Sequence, residues 1–92
     1  MAGEIAPVSA WAKRHHVAVF CGEFGVYRAY SPPAARQRWL HDMTSVLREN
    51  HIGWSMWDYS GGDFSLVKRN AAGTPILHPH TAAGLGLKLP RR

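Results

Sequence analysis

The sequence predicts an α/β fold, and only a portion of one. Three observations carry this. An unbroken apolar run, Val17-Ala18-Val19-Phe20-Cys21, leads into Gly22-Glu23 and reads as a buried strand of a parallel sheet. A second extended stretch spans Ile52 to Tyr59. Between them, residues 33–50 carry a helical period, long enough for a crossover that makes the two strands parallel. Two parallel strands leave open edges and an uncovered apolar face. Ninety-two residues with so little sheet bury too little surface to stand comfortably alone. The chain reads as one partial domain, 1–92.

The totals narrow the class. The chain is 46% hydrophobic and 18% charged, without a low-complexity tract, so it belongs with globular proteins. Its net charge is +5, which raises the question of an anionic partner. The basic residues are scattered, however, and Lys/Arg do not interleave with aromatics as in a nucleic-acid surface. The single cysteine, Cys21, cannot make an internal disulfide and reads as a small core residue. No stretch is long enough to span a membrane, and Met1 to Ile5 lacks the pattern of a signal peptide.

In chain order, residues 7–15 read as the end of a helix. Pro7 suits a first turn, and Val8, Trp11 and Ala12 make one apolar face. Lys13, Arg14, His15 and His16 suit the negative end of its dipole. In the strand that follows, alternation places Val17, Val19 and Cys21 on the face of Glu23, and Ala18 and Phe20 on the other. A carboxylate at the C-terminal end of a parallel strand stands where α/β folds place their chemistry.

After a loop from Gly25, Ser31-Pro32-Pro33 is a helix start with serine as N-cap and proline in the first position. The helix runs to about Asn50 with an apolar stripe of Trp39, Leu40, Met43, Val46 and Leu47, while Arg36, Arg38, His41, Asp42 and Arg48 take the polar face. In the second strand Ile52, Trp54 and Met56 share one face, and Gly53, Ser55 and Trp57 the other. The large set suits packing against helices and the small set a tight interior. Trp57 breaks that trend, as an aromatic platform for a sugar ring would.

Ser60 to Asp63 is a turn, Phe64 to Val67 a short extended piece, and Asn70 to Thr74 another turn. A last helix starts near His78-Pro79 and ends at Gly84 or Leu87, and the tail 89–92 is expected to fray. His78 and His80 are a weak metal signal and read as loop histidines.

One combination is more specific. Cys21-Gly22-Glu23-Phe24-Gly25, then Arg38-Trp39-Leu40, then Gly53-Trp54-Ser55-Met56-Trp57-Asp58-Tyr59 with Gly61-Gly62 and Phe64, resembles the C-terminal part of glycoside hydrolase family 5. This is the cellulase family of retaining β-glycosidases on a (β/α)8 TIM barrel. The resemblance spans residues 17–87. It implies strands seven and eight with helices six to eight, residues 1–15 being the end of helix six. It also implies that Glu23 is the catalytic nucleophile, that Trp57 lines the subsite of the attacked sugar, and that the substrate is a β-glycan. Tyr27 and Tyr59 are further candidates for stacking on sugars. No metal or organic cofactor is implied. An enzyme attacking polymers is expected to be secreted or periplasmic.

The family's acid/base glutamate, on strand four, has no counterpart in this chain. Retaining hydrolysis needs two carboxyl groups about 5–5.5 Å apart. Among the other acids, Asp63 is the least unsuitable. The isolated chain is therefore expected to be inactive, or to persist as a non-catalytic carbohydrate- or protein-binding remnant. The missing N-terminal part of the barrel is its natural partner.

Overall fold

The computed structural model describes residues 1–88, and the expectation for the tail 89–92 lies outside them. Seven elements follow in order: α1 (Ala2–His15), β1 (Phe20–Cys21), α2 (Pro33–Glu49), β2 (Gly53–Trp54), β3 (Val67–Arg69), β4 (Pro75–Leu77) and α3 (Pro79–Gly84). β1 and β2 pair in parallel, Phe20 opposite Gly53 and Cys21 opposite Trp54. β3 and β4 form an antiparallel hairpin, Val67 opposite Leu77.

α1 begins five residues earlier than the residue pattern suggests, in keeping with the span 1–15 that the resemblance implies, so Pro7 lies inside the helix and not in its first turn. Its missing N–H leaves the Gly3 carbonyl without an intrahelical donor. Gly3 is exposed, so water can satisfy that carbonyl. The expected apolar face is also wrong. Val8 and Trp11 are exposed, while Ser9 is buried and donates to the Asn50 carbonyl at 3.5 Å. Trp11 lies against the His15 ring, at a centroid distance of 4.5 Å. The helix ends at His16, whose φ of 53° closes it in the left-handed region.

The strands are far shorter than expected. The apolar run was predicted to be buried on both faces, yet Phe20 is 62% exposed and Val17 48%. A strand extends only while neighbours accept its hydrogen bonds. With one neighbour each, β1 and β2 keep two residue pairs. Their helix-facing side is well packed. Phe24, Leu40, Leu47, Ile52 and Leu85 form the core, with Val19, Cys21, Trp39, Met43, Trp54 and Met56 packed on it. The Phe24 ring meets Trp54 edge-on at 5.4 Å and Trp39 at 6.2 Å. The two faces of the second strand segregate as the alternation predicts: Ile52 is buried and Trp54 and Met56 half-buried, while Gly53, Ser55 and Trp57 are exposed.

The strand pair therefore has helices on one side only. This gives an elongated molecule, 51 × 24 × 23 Å, with a radius of gyration of 15.0 Å. A compact chain of this length would have about 12 Å.

α2 starts with Pro33 in its first turn, as the proline pattern predicts, but Pro32 and not Ser31 is the N-cap. Ser31 Oγ instead donates to the Tyr27 carbonyl. Arg36, assigned above to the polar face, is 1% exposed. The buried stripe of α2 is Arg36, Leu40, Thr44 and Leu47. The extended piece expected at 64–67 shifts to β3 and gains a partner, β4, across the Asn70–Thr74 turn. The Asn70 side chain organises that turn by accepting from the Ala72 and Thr74 N–H groups. α3 starts at Pro79, and the His78 ring caps it by accepting from the Thr81 N–H. At Gly84 an added Cβ would lie 2.7 Å from the Gln37 carbonyl oxygen, so glycine permits the close approach of α3 to α2.

Candidate active site

The C-terminal ends of β1 and β2 are tied together beyond their short ladder. The Ser55 N–H donates to the Cys21 carbonyl at 3.0 Å, and the Trp57 N–H to the Phe24 carbonyl at 2.8 Å. Two residues on one chain thus oppose three on the other, a β-bulge, which is unusual between parallel strands. The Gly22 carbonyl, in the bulge, accepts from Ser55 Oγ at 2.7 Å.

The bulge corrects the predicted face of Glu23. Cys21 and Val19 point to the helices, whereas Phe20 lies over Gly53 on the open side. Uninterrupted alternation would have sent Glu23 toward the helices with Cys21. The extra residue shifts the phase, so Phe24 is buried in the core and Glu23 is exposed.

Trp57, 53% exposed, follows on the adjacent strand end, and its peptide bond to Asp58 is cis. Gly25 fits beneath it. A Cβ there would lie 2.5 Å from the Trp57 carbonyl oxygen and 2.9 Å from the Phe64 ring. Glycines flank Glu23 on both sides, but only Gly25 is sterically required, since Gly22 has open space around it.

Tyr27 lies on the loop after Glu23. Its ring packs on Phe64 at 4.6 Å and near Tyr30 at 5.5 Å. Tyr59 is placed differently. It lines an apolar concavity with Trp54, Met56, Leu66, Leu85 and Leu87. The Trp57 N–H bond to the Phe24 carbonyl puts the Trp57 backbone beside the residue that follows Glu23; the side chains of Glu23 and Trp57 are both exposed, Tyr27 stands on the following loop and Tyr59 lines the apolar concavity.

The remaining acids have other surroundings. Asp58 accepts from Ser65 Oγ at 3.1 Å, bracing the turn at Gly62. Asp63 holds the Arg28 N–H through its backbone carbonyl, at 2.9 Å. Among the described residues, no group of three His, Cys, Asp or Glu is placed to hold a metal ion.

A polar cluster escaped the sequence reading. Arg36 Nη1 donates to Thr81 Oγ1, and Nη2 to the Phe64 carbonyl at 2.7 Å, which ties α2 and α3 to the turn behind Trp57. Burial, then the charge of Arg28, pulls the Arg36 pKa down to about 10. His78 Nδ1 faces Thr81 Oγ1 at 2.7 Å and accepts from the Thr81 N–H at 3.3 Å, so the neutral ring carries its proton on Nε2. Burial lowers its pKa, with further contributions from Arg28, Arg36, His80 and Lys68. The basic residues are thus less scattered than the sequence suggests. The available signal was the spacing Arg36, Leu40, Thr44, Leu47, in which Arg36 continues the buried stripe by one turn.

The sequence profile described as Cellulase (glycosyl hydrolase family 5) matches residues 1–63. The chain belongs to glycosyl hydrolase family 5. It is 32% identical over 67 residues to endoglucanase C of Acetivibrio thermocellus and to endoglucanase C307 of Clostridium sp. strain F1. Each match covers 73% of this chain and 19% of the relative, so this family 5 chain spans about a fifth of their length. A hyperthermophilic endo-β-1,4-glucanase solved in complex with substrate superposes with a TM-score of 0.75 at 29% identity, over 92% of this chain and 26% of that one. The cellulose synthase subunit Z of Clostridioides difficile superposes at 0.78, over 91% and 26%, and at 21% identity it speaks for the fold alone. The family 5 chain is an α/β portion of a TIM barrel whose closure is incomplete.

Proposed function

We propose that the parent protein is a retaining β-glycosidase acting on a cellulose-like β-1,4-glucan, and that residues 1–92 are one partial barrel domain carrying its nucleophile, Glu23. The observation that supports this most is the hydrogen bond from the Trp57 N–H to the Phe24 carbonyl. It joins the C-terminal ends of the two parallel strands, one carrying the exposed Glu23 and the other the exposed Trp57, and so supports a shared site.

Trp57 would stack on the apolar face of the sugar, with Tyr27 extending the platform. Tyr59, given its apolar concavity, is left out of the ligand's path. A Glu23 carboxylate oxygen would attack the anomeric carbon, forming the glycosyl ester as the bond to the leaving oxygen breaks. The leaving oxygen takes a proton from a carboxyl outside this chain. Water, deprotonated by that same group, then releases the sugar. No cofactor enters.

Neither Asp58, committed to Ser65, nor Asp63, which lines a concavity with the cations Arg28, Arg36 and Lys68, surroundings that do not suit a proton donor, is suited to be the acid/base. The isolated chain should therefore not hydrolyse a soluble β-glucan. Hydrolysis that disappears in Glu23→Gln would overturn this. In a longer protein carrying these residues, a 2-deoxy-2-fluoroglycoside with an activated leaving group should label Glu23. A label on another carboxylate would remove its assigned role.

The exposed aromatics Trp57, Tyr27 and Tyr30 favour one second reading, a carbohydrate-binding remnant. It predicts cello-oligosaccharide affinity that survives Glu23→Gln and is lost in Trp57→Ala.

A further inference from the structure

The basic cluster surrounds a concavity of about 230 Å³ between the loop after Glu23, the start of α2 and the turn after Trp57. Arg28, Arg36, Lys68 and His78 line it, with Ser31 and a single acid, Asp63. Among the described residues, the one ion pair joins the N-terminus to Glu4, so none of these cations has a carboxylate partner. Two of their nitrogens are buried without any hydrogen-bond partner, Arg28 Nη1 and Arg36 Nε. Arg36 is itself almost wholly buried. A buried donor without an acceptor is costly, more so on a charged group. The charge of the half-buried Arg28 also acts unfavourably on the buried Arg36. An anion bound in the concavity would offset this uncompensated positive charge, and guanidinium groups match a planar or tetrahedral oxyanion.

We propose that this concavity is a binding site for a single oxyanion group, held by Arg28, Arg36 and Lys68 beside the glycan cleft. Two sources carry that chemistry: a carboxylate or sulfate substituent on a glycan, and a free inorganic oxyanion. The site does not use Glu23, so it stands or falls apart from the catalytic reading.

The test is calorimetric titration of the full chain with inorganic phosphate, with a glucuronate-bearing β-glucan oligosaccharide and with neutral cellotetraose. Saturable binding of either anion should weaken about tenfold or more in Arg28→Gln and in Lys68→Gln, the scale of one charge-assisted hydrogen bond. Arg14→Gln, which removes one charge on α1 outside the cluster, should leave it unchanged. Tighter binding of the glucuronate oligosaccharide than of phosphate assigns the site to an acidic substrate group. The reverse order assigns it to a free anion. Absence of saturable anion binding, or an equal loss in Arg14→Gln and Arg28→Gln, overturns the proposal. Arg36 is kept intact because its bonds to Thr81 and Phe64 brace the fold.

Discussion

The two glycines flanking Glu23 should respond in opposite ways to alanine. Neither has a backbone that excludes an L residue, since the positive-φ glycines are Gly61, Gly73 and Gly86. Alanine at either site should therefore gain about 0.4–1 kcal/mol by restricting the unfolded chain. At Gly22 nothing lies within 4 Å of the new Cβ, so the gain stands alone. At Gly25 the Cβ would sit 2.5 Å from the Trp57 carbonyl oxygen, well inside contact distance. That atom is backbone, fixed through the Trp57 N–H bond to Phe24, and cannot swing aside. Overpacking of this kind costs about 1–3 kcal/mol, which exceeds the gain. The net loss, about 0.5–2 kcal/mol, should lower Tm by roughly 2–15 °C in a domain of this size. Thermal unfolding followed by tryptophan fluorescence reads it, with Gly22→Ala as the control. Equal midpoints for the two variants would refute the assignment of Gly25 as the close contact between the strand ends.

Other outcomes follow from the packing and the charges. Gly84→Ala should destabilise by about 1–2 kcal/mol despite alanine's helix preference of about 1 kcal/mol, because its Cβ would meet the Gln37 carbonyl at 2.7 Å; a raised urea midpoint would contradict this. Leu40→Ala, at a fully buried core position, should cost about 2–5 kcal/mol, read as a lowered denaturant midpoint. His78 has a folded pKa below its ordinary 6.5. The unfolded chain thus binds more protons there, and the stability it contributes, full above pH 6.5, should fall as pH drops below that value. Urea midpoints between pH 8 and 5 should show this fall, reduced in His78→Gln. The open edges of β1 and β2, with Phe20 exposed, should drive self-association; a monodisperse monomer on size exclusion would count against it.

Much of this was legible in the sequence, for identifiable reasons. The alternation from Ile52 to Trp57 survives because packing against α2 enforces it, whatever happens on the other side. Pro33 at the start of α2 and the turn at Asn70 are local decisions, and short-range chemistry settles them. What failed depends on distant partners. The burial of Val17 and Phe20 presupposes neighbours that this chain does not supply. Arg36 looks like a surface residue until Thr81 and the Phe64 carbonyl, far along the chain, are brought to it. The face of Glu23 rests on one extra residue opposite Ser55 to Trp57, and strand periodicity carries no signal for a bulge.

The exposed side of the strand pair connects these points. Phe20 lies across Gly53, with a virtual Cβ there 3.1 Å from its ring. Large and small side chains from adjacent strands thus interlock on the side away from the helices, as layers inside a closed barrel do. A surface built for solvent would not need a glycine beneath a phenylalanine. The same side carries Glu23 and Trp57 at its C-terminal rim. The apolar layer and the nucleophile role proposed for Glu23 therefore point to one requirement in common, further strands closing over this face. Those strands would bury Phe20 and extend β1 and β2. They are also where the proposed mechanism would find its second carboxyl group.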